Sequence, residues 1–319
     1  MGLLLTILII LSASVAALKL YIKIITRRCK SHVCLVGKTA IVTGSNCGIG
    51  YETALDFAQR GAKVILACRN KQKAEEARKK IIDETDNDNI IVRIIDMASF
   101  DSVRAFAKQI NETEDRIDIL VNNAGAVELE HKRTADGRAL LMQVNYLSSF
   151  LLTNLLLDLL KKSAPSRIVN VSSIGAKMAS NFDPDNIDDF VFHSRDYQHS
   201  KLCNILFTIE LAKRLEGSDV TTYSLHPGFV GTEIFHNFRG VKKVVVNSLA
   251  KLFSITCEEG AQTTIYCSVA KGIEKDSGEH FDCCRKVKPY KNAADPELAR
   301  KLWKKTVELV GLKPEDKLL

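Results

Sequence analysis

The chain has 319 residues, 46% of them hydrophobic and 26% charged, enough apolar content for one large α/β domain or two small ones and too much for wholesale disorder. Its net charge of +7 is uneven, because Lys19, Lys23, Arg27, Arg28 and Lys30 all precede the first acid, Glu52, and leave only +2 for everything after them. A nearly neutral body argues against a nucleic-acid-binding face, and nine scattered cysteines without a CxxC pair argue against a disulfide framework or a zinc site. No metal is expected, and the adjacent Cys283 and Cys284 are read as packing residues.

The chain opens on an apolar segment. Residues 2–18 carry no charge, and residues 21–25 extend the run past Lys19 and Lys23, whose ammonium groups can snorkel toward lipid headgroups. The total approaches the ~20 residues needed to cross a bilayer. Arg27, Arg28 and Lys30 follow the run and no basic residue precedes it, so the positive-inside rule sets the domain behind it in the cytoplasm. A cleaved leader, cut near Ser14-Val15-Ala16, is the rival reading, and the basic cluster stands on the wrong side for it. The expected organisation is a membrane anchor with its basic flank over 1–30, a connector over 31–37 and one domain over 38–319.

From Lys38 onward strand alternates with helix. Residues 38–44 (KTAIVTG) predict a buried strand and 49–60 the helix leaving it; 63–68 (KVILAC) predict a second strand, followed by a charged helix at 71–80. Further strands are predicted within 90–96, 116–125, 167–173, 221–228 and 280–284, with an all-round apolar helix over 147–160. This alternation predicts an α/β fold, a single Rossmann-type doubly wound parallel sheet with helices on both faces, preceded here by an N-terminal transmembrane helix. Two stretches break the rhythm. Residues 174–194 are polar and acidic (Asp183, Asp185, Asp188, Asp189), and 229–255 mix apolar positions with Lys242, Lys243 and Lys251. Each reads either as a lid over a site or as a surface segment with a solvated charged face.

Two motifs carry chemistry. TGSNCGIG (43–50) lies where the first strand hands over to the first helix; Gly44, Gly48 and Gly50 permit a tight turn and the close approach of a pyrophosphate, which a helix N-terminus attracts. The spacing differs from the common G-x-G-x-x-G, so the reading rests on this mechanism. The second strand ends Ala67-Cys68-Arg69, where an NAD-binding chain usually offers an acid to the ribose 2′-hydroxyl; a guanidinium would instead clamp a 2′-phosphate, which favours NADP(H). Downstream, Tyr197 and Lys201 in YQHSK fall one turn apart on one helix face. An ammonium held near a phenol favours the phenolate and brings a group of pKa ~10 toward use as a proton carrier near neutrality.

With these motifs the chain resembles the short-chain dehydrogenase/reductase superfamily from about Gly37 to its C-terminus. TGSNCGIG, DMAS (96–99), NNAG (122–125), Asn145, Ser173 in NVSS, Tyr197 with Lys201, and HPGFVGT (226–232) occur in that family's order. More narrowly, the apolar N-terminus, ACRN, KRTADG, SRIVNVSS, HSKLCNILFTIELAKRL, TTYSLHPG and SGEHFDC resemble the membrane-anchored, NADP-dependent retinol dehydrogenases. The resemblance implies Tyr197 as proton donor and acceptor, with Lys201 lowering its pKa and gripping the nicotinamide ribose. It implies Ser173 bonded to the substrate oxygen and Asn145 holding a water between Lys201 and solvent. The implied NADP(H) site takes Gly44, Ser45, Asn46, Gly48, Ile49 and Gly50 from the turn, Arg69 and Asn70 after the second strand, and Asp96 and Met97 at the adenine. Asn123, Ala124 and Gly125 line it, and Pro227, Gly228, Val230 and Thr232 surround the carboxamide.

Hydride would pass between nicotinamide and carbon while Tyr197 handles the proton on oxygen. The implied reaction interconverts retinol and retinal, with retinal reduction favoured where the NADP pool is mainly reduced. The implied place is a membrane, that of the endoplasmic reticulum, with the domain facing the cytosol. Lipid-derived aldehydes or steroids are alternative substrates. A non-catalytic NADP(H)-binding membrane scaffold is the alternative from another class, against which the complete Asn–Ser–Tyr–Lys set argues. A homodimer formed through the long helices around 147–160 and 197–215 is a further expectation. Two departures from the relatives, Tyr146-Leu147-Ser148 in place of HLG and the acids Glu128 and Glu130, are expected to border the site.

Overall fold

The computed structural model describes residues 26–127, 129–190, 193–230, 254–288 and 290–312, with isolated positions among the first 25. Eight strands, β1 (Thr39–Thr43), β2 (Lys63–Cys68), β3 (Ile90–Ile94), β4 (Ile119–Asn122), β5 (Ser166–Val171), β6 (Val220–His226), β7 (His280–Asp282) and β8 (Arg285–Val287), form one sheet in the order β3-β2-β1-β4-β5-β6-β7-β8. Pairing is parallel through β7, and β8 closes the edge antiparallel. β1 and β4 are buried along their whole length, which is why they read as unbroken apolar runs and not as alternating ones.

Among the described residues, and besides the single turn Leu140–Met142, the helices that connect and cover the strands are α1 (Gly48–Gln59), α2 (Lys71–Thr85), α3 (Phe100–Thr113), α4 (Ser148–Leu155), α5 (Leu157–Lys162), α6 (His193–Arg214), α7 (Cys257–Val269) and α8 (Pro296–Val310). One core, around Phe57, Ile81 and Ile265, lies beneath α1, α2 and α7; the other, around Phe106, Phe150 and Phe207, lies beneath α3, α4 and α6. Helices therefore cover both faces, as the alternation predicts. The winding reverses between β1 and β4, and a crevice opens there at the carboxyl ends of the strands. At the opposite edge, buried acids are tied down. Asp118 accepts from Lys38 Nζ at 2.9 Å, Arg116 Nη2 at 2.6 Å and the Thr39 amide at 2.9 Å, and Glu114 accepts from Lys63 Nζ at 2.6 Å.

Several expectations change. β8 is additional: the chain reverses through Cys283 (φ +47) and Cys284 (φ +55), a left-handed pair usually signalled by Asn-Gly. Cys284 is buried, and its amide donates to Thr263 Oγ1 at 3.3 Å. The predicted 147–160 helix breaks at Leu156 and is preceded by a π-turn, Gln143–Leu147. Residues 174–194 contain two 3₁₀ turns, Ile174–Met178 and Pro184–Asn186, whereas 231–253 lie outside the described residues.

The outer face of α4 and α6, invoked for dimerisation, is covered by the chain's own α8. The Trp303 ring centre is 4.8 Å from that of Phe150, and the Arg214 guanidinium stacks on Trp303 at 4.4 Å. Tyr146 does not border the site. It is fully buried, its hydroxyl bonded to Thr306 Oγ1 at 2.7 Å, because the larger ring fills the seam beneath α8. Ser148 Oγ donates to the Met97 carbonyl at 2.6 Å, and Glu130 pairs on the surface with Lys132 at 3.0 Å; Glu128 lies outside the described residues. Among the described residues no helix is long and apolar enough to cross a membrane, and residues 2–25, on which the transmembrane expectation rests, lie outside them except at isolated positions.

Candidate active site

The turn after β1 passes through Gly44 (φ +65) and Gly48 (φ +61), a conformation other residues adopt only with strain. At Gly50 the constraint is space: a Cβ would fall 2.5 Å from both Asn123 Nδ2 and the Gly44 carbonyl. Asn123 Nδ2 donates to the carbonyls of Thr43 (2.7 Å) and Gly44 (3.2 Å), which clamps the turn to the end of β4. Thr43 Oγ1 completes the clamp by accepting from the amides of Asn123 and Ala124. Cys47, the N-cap of α1, makes no side-chain capping bond.

The turn opens onto a cavity of about 440 Å³. Gly44, Asn46, Gly48, Ile49, Gly50, Arg69, Asp96, Met97, Asn123, Ala124, Gly125, Tyr197, Lys201 and Pro227 line it, which brings most of the expected residues together. Others do not reach it. Ser45 turns its hydroxyl inward to the Val42 carbonyl (2.9 Å), and Asn70 caps α2 by accepting from the Lys73 amide (2.9 Å). Gly228 (φ +88) and Val230 pack against Ile255 and Gly260, and Thr232 lies outside the described residues. Asp96 is the one carboxylate lining the cavity among the described residues, and it accepts from the Ala98 amide at 2.9 Å. Arg69 is exposed at the rim, where no hydrogen bond or ion pair engages it among the described residues.

At the other end, α6 presents Tyr197 and Lys201. Lys201 is 3% exposed, its Nζ donates to the Val171 carbonyl at 3.0 Å, and burial pulls its pKa down to about 8. Tyr197 moves the opposite way: burial pushes its phenol above the usual value, opposed by a hydrogen bond with Ser173. The shift of Tyr197 follows its burial and the Ser173 bond. The Lys201 ammonium turns to Val171, 5.9 Å from the centre of the phenol ring, and desolvation dominates both groups.

Ser173 caps the Ile174–Met178 turn, its Oγ accepting from the Gly175 amide at 3.1 Å. Gly175 packs closely beside it, since a Cβ there would lie 3.3 Å from Tyr197 Cε1. Asn145 sits in the π-turn, where the extra residue per turn aims it at the loop after β4. Its Oδ1 accepts from the Ala126 amide (2.8 Å) and its Nδ2 donates to the Ala126 carbonyl (2.9 Å) and Ser200 Oγ (3.1 Å). Two supporting residues escape the sequence reading. Asn204 Nδ2 donates to the carbonyls of Val171 and Asn145, both at 3.2 Å, and Ser172 Oγ donates to the Lys201 carbonyl at 2.6 Å. Asn204 stands seven residues after Tyr197, on the same helix face, so periodicity could have found it.

The arrangement offers a phenol and an ammonium at one end of a cavity, with the Ser173 hydroxyl bonded to the phenol, and a glycine-built turn at its other end. The family model for short chain dehydrogenase matches residues 38–242. The chain belongs to the short-chain dehydrogenases. This short-chain dehydrogenase is 46% identical to retinol dehydrogenase 11 of Mus musculus over 89% of its own length and 90% of that protein. It is 44% identical to retinol dehydrogenase 13 of Homo sapiens over 89% and 88%. In three dimensions it resembles the crystal structure of an uncharacterized protein from Mycobacterium paratuberculosis, with a TM-score of 0.70 at 28% identity over 88% of this chain and 96% of that one.

Proposed function

We propose that this protein is a membrane-anchored, NADP(H)-dependent oxidoreductase that interconverts retinol and retinal, with retinal reduction the favoured direction. The observation that carries this reading is the placement of Tyr197 and Lys201 at the cavity that the glycine turn opens onto, with Ser173 hydrogen-bonded to the Tyr197 phenol. The turn fits a dinucleotide: left-handed glycines, a helix N-terminus without a side-chain bond from its N-cap Cys47, and a position at Gly50 where no side chain has room. When bound, the nicotinamide supplies or accepts the hydride.

The remaining work falls to the chain. Ser173 and Tyr197 hydrogen-bond the substrate oxygen, and a neutral phenol gives it a proton during reduction. Lys201, whose ammonium donates to the Val171 carbonyl, would hold the ribose hydroxyls of the bound cofactor. Asn145, Asn123 and Gly125 hold the loop behind the nicotinamide. Arg69, which no hydrogen bond or ion pair engages among the described residues, speaks for the 2′-phosphate of NADP(H). Similarity to retinol dehydrogenases speaks for a retinoid.

Anchoring is supported by the course of the connector along α7. Arg28 pairs with Glu258 at 2.6 Å, the Cys29 amide donates to Gln262 Oε1 at 3.0 Å and Ser31 Oγ donates to the Val269 carbonyl at 3.2 Å. The described connector therefore begins, at Arg28, beside the N-terminal end of α7, at the edge of the sheet that carries the cavity. An apolar substrate arriving from a bilayer would meet the site there. The endoplasmic reticulum, with the 38–319 domain in the cytosol, is the location in this reading.

Initial rates of the full-length protein in detergent, with NADPH or NADH and retinal, nonenal or a ketosteroid, test the proposal. The expected result is a preference for NADPH and the highest kcat/KM on retinal. Faster turnover of nonenal or the ketosteroid would reassign the substrate, and absence of turnover with saturating NADPH would leave a binding scaffold.

A further inference from the structure

The peptide bond that follows Ser173 is held from a different strand. The Ile174 amide donates to Nδ1 of His226, the last residue of β6, at 3.1 Å. The next amides of the turn are satisfied locally, Gly175 by Ser173 Oγ and Ala176 by the Ser173 carbonyl, each at 3.1 Å. His226 is thus an external cap that completes a turn Ser173 caps only in part. An Nδ1 that accepts must be unprotonated, which makes the ring neutral with its hydrogen on Nε2.

The surroundings agree with that form. Asp282 is the cross-strand neighbour of His226 on β7, and His280 lies two residues before it on the same face, bonded through Nδ1 to Ser224 Oγ at 2.9 Å. Tyr290 packs edge-on against His280 with ring centres 5.0 Å apart. Burial holds His226 below the ordinary histidine range, against the pull of Asp282.

We propose that His226 is a positioning residue for Ser173: its neutral Nδ1 fixes the Ile174 amide and so keeps the Ser173 hydroxyl aimed at Tyr197. The role rests on the reading of Ser173 and Tyr197 given above. If the amide is released, the turn can rotate about the Ser173–Ile174 bond pair, and the serine hydroxyl leaves the line between the phenol and the substrate oxygen.

Three variants of the full-length protein test this. His226→Asn places Oδ1 where Nδ1 stands, His226→Gln carries its oxygen one bond further out, and His226→Ala removes the acceptor. With retinal and saturating NADPH, Ala and Gln should lower kcat about three- to tenfold, the range of one hydrogen bond, while Asn restores most of it and NADPH affinity stays unchanged in all three. In a Ser173→Ala background the His226→Ala change should have no further effect, the mark of a residue acting through another. Asn and Gln differ by one methylene, so their comparison stands even where Ala fails to fold. Equal losses in Asn and Gln, additive losses with Ser173→Ala, or a loss of NADPH affinity at constant kcat would overturn the role of His226 alone. An unchanged kcat in Ser173→Ala would overturn the reading of the site beneath it.

Discussion

The two edges of the parallel sheet treat charge in opposite ways. At the amino edge every buried acid described above has a cation: Asp118 holds Lys38 and Arg116, and Glu114 holds Lys63. Burial pushes the Asp118 carboxyl upward, yet hydrogen bonds from Arg116, Lys38 and the Thr39 amide together outweigh it and hold the group below the usual carboxylate range. At the carboxyl edge the imbalance is left standing. Lys201 is buried with no carboxylate paired to it among the described residues, its ammonium on the Val171 carbonyl, and burial takes it down to about 8. Arg69 waits at the rim of the same cavity. A fold that pairs its charges where it needs stability and leaves cations unpaired at a glycine cradle has reserved that edge for an anionic ligand.

Lys201→Met attacks this contrast hardest. It should lower kcat by about 10²–10⁴ through loss of the group beside the proton carrier, yet stabilise the fold at pH 7 by about 2 kcal/mol. The sign follows from the folded pKa of about 8 lying below the ordinary 10.5. Between those values the unfolded chain binds more protons, so wild-type stability rises with pH and the advantage of Met shrinks over that window. The Val171 carbonyl keeps the Asn204 amide, at 3.2 Å, in the variant. Urea unfolding at neutral and alkaline pH reads the effect; a less stable Met variant at pH 7 would mean the ammonium is compensated after all.

Arg69→Ala separates the two cofactors. Loss of a charge-assisted bond to a 2′-phosphate should raise the KM for NADPH about 10- to 100-fold and leave that for NADH unchanged. Equal changes for both would remove Arg69 from phosphate recognition.

Asp118→Asn has the smallest effect and falls on stability alone. It should destabilise by about 1–2 kcal/mol, since the partner cations are partly exposed and screened, while kcat per folded molecule stays constant. The folded carboxyl lies below its ordinary 3.8, so this stability is present above that value and lost as pH falls through the lowered one; wild type and variant should converge in acid. A change in kcat would mean that the amino edge is coupled to the cavity.

Most of the sheet is legible because buried parallel strands such as Thr39–Thr43 and Lys63–Cys68 are unbroken β-branched and aliphatic runs bounded by turns. β8 is not, since three partly exposed residues follow a Cys-Cys reversal without the glycine or asparagine that marks a hairpin. An all-round apolar helix carries no phase, so neither the break at Leu156 nor the π-turn that orients Asn145 can be read from it. In the site, spacing places Tyr197 and Lys201 on one face but says nothing about the far end of a lysine, which here turns to Val171. Ser45 and Asn70 show a related limit: a polar residue inside a binding motif can be spent on its own backbone, as these are.

Turnover of retinal by wild type and Tyr197→Phe at saturating NADPH, with cofactor binding measured on both, reaches the central claim most directly. The account predicts equal NADPH affinity and a loss of about 10²–10⁴ in kcat when the phenol oxygen is removed. Equal turnover by the two proteins would contradict it.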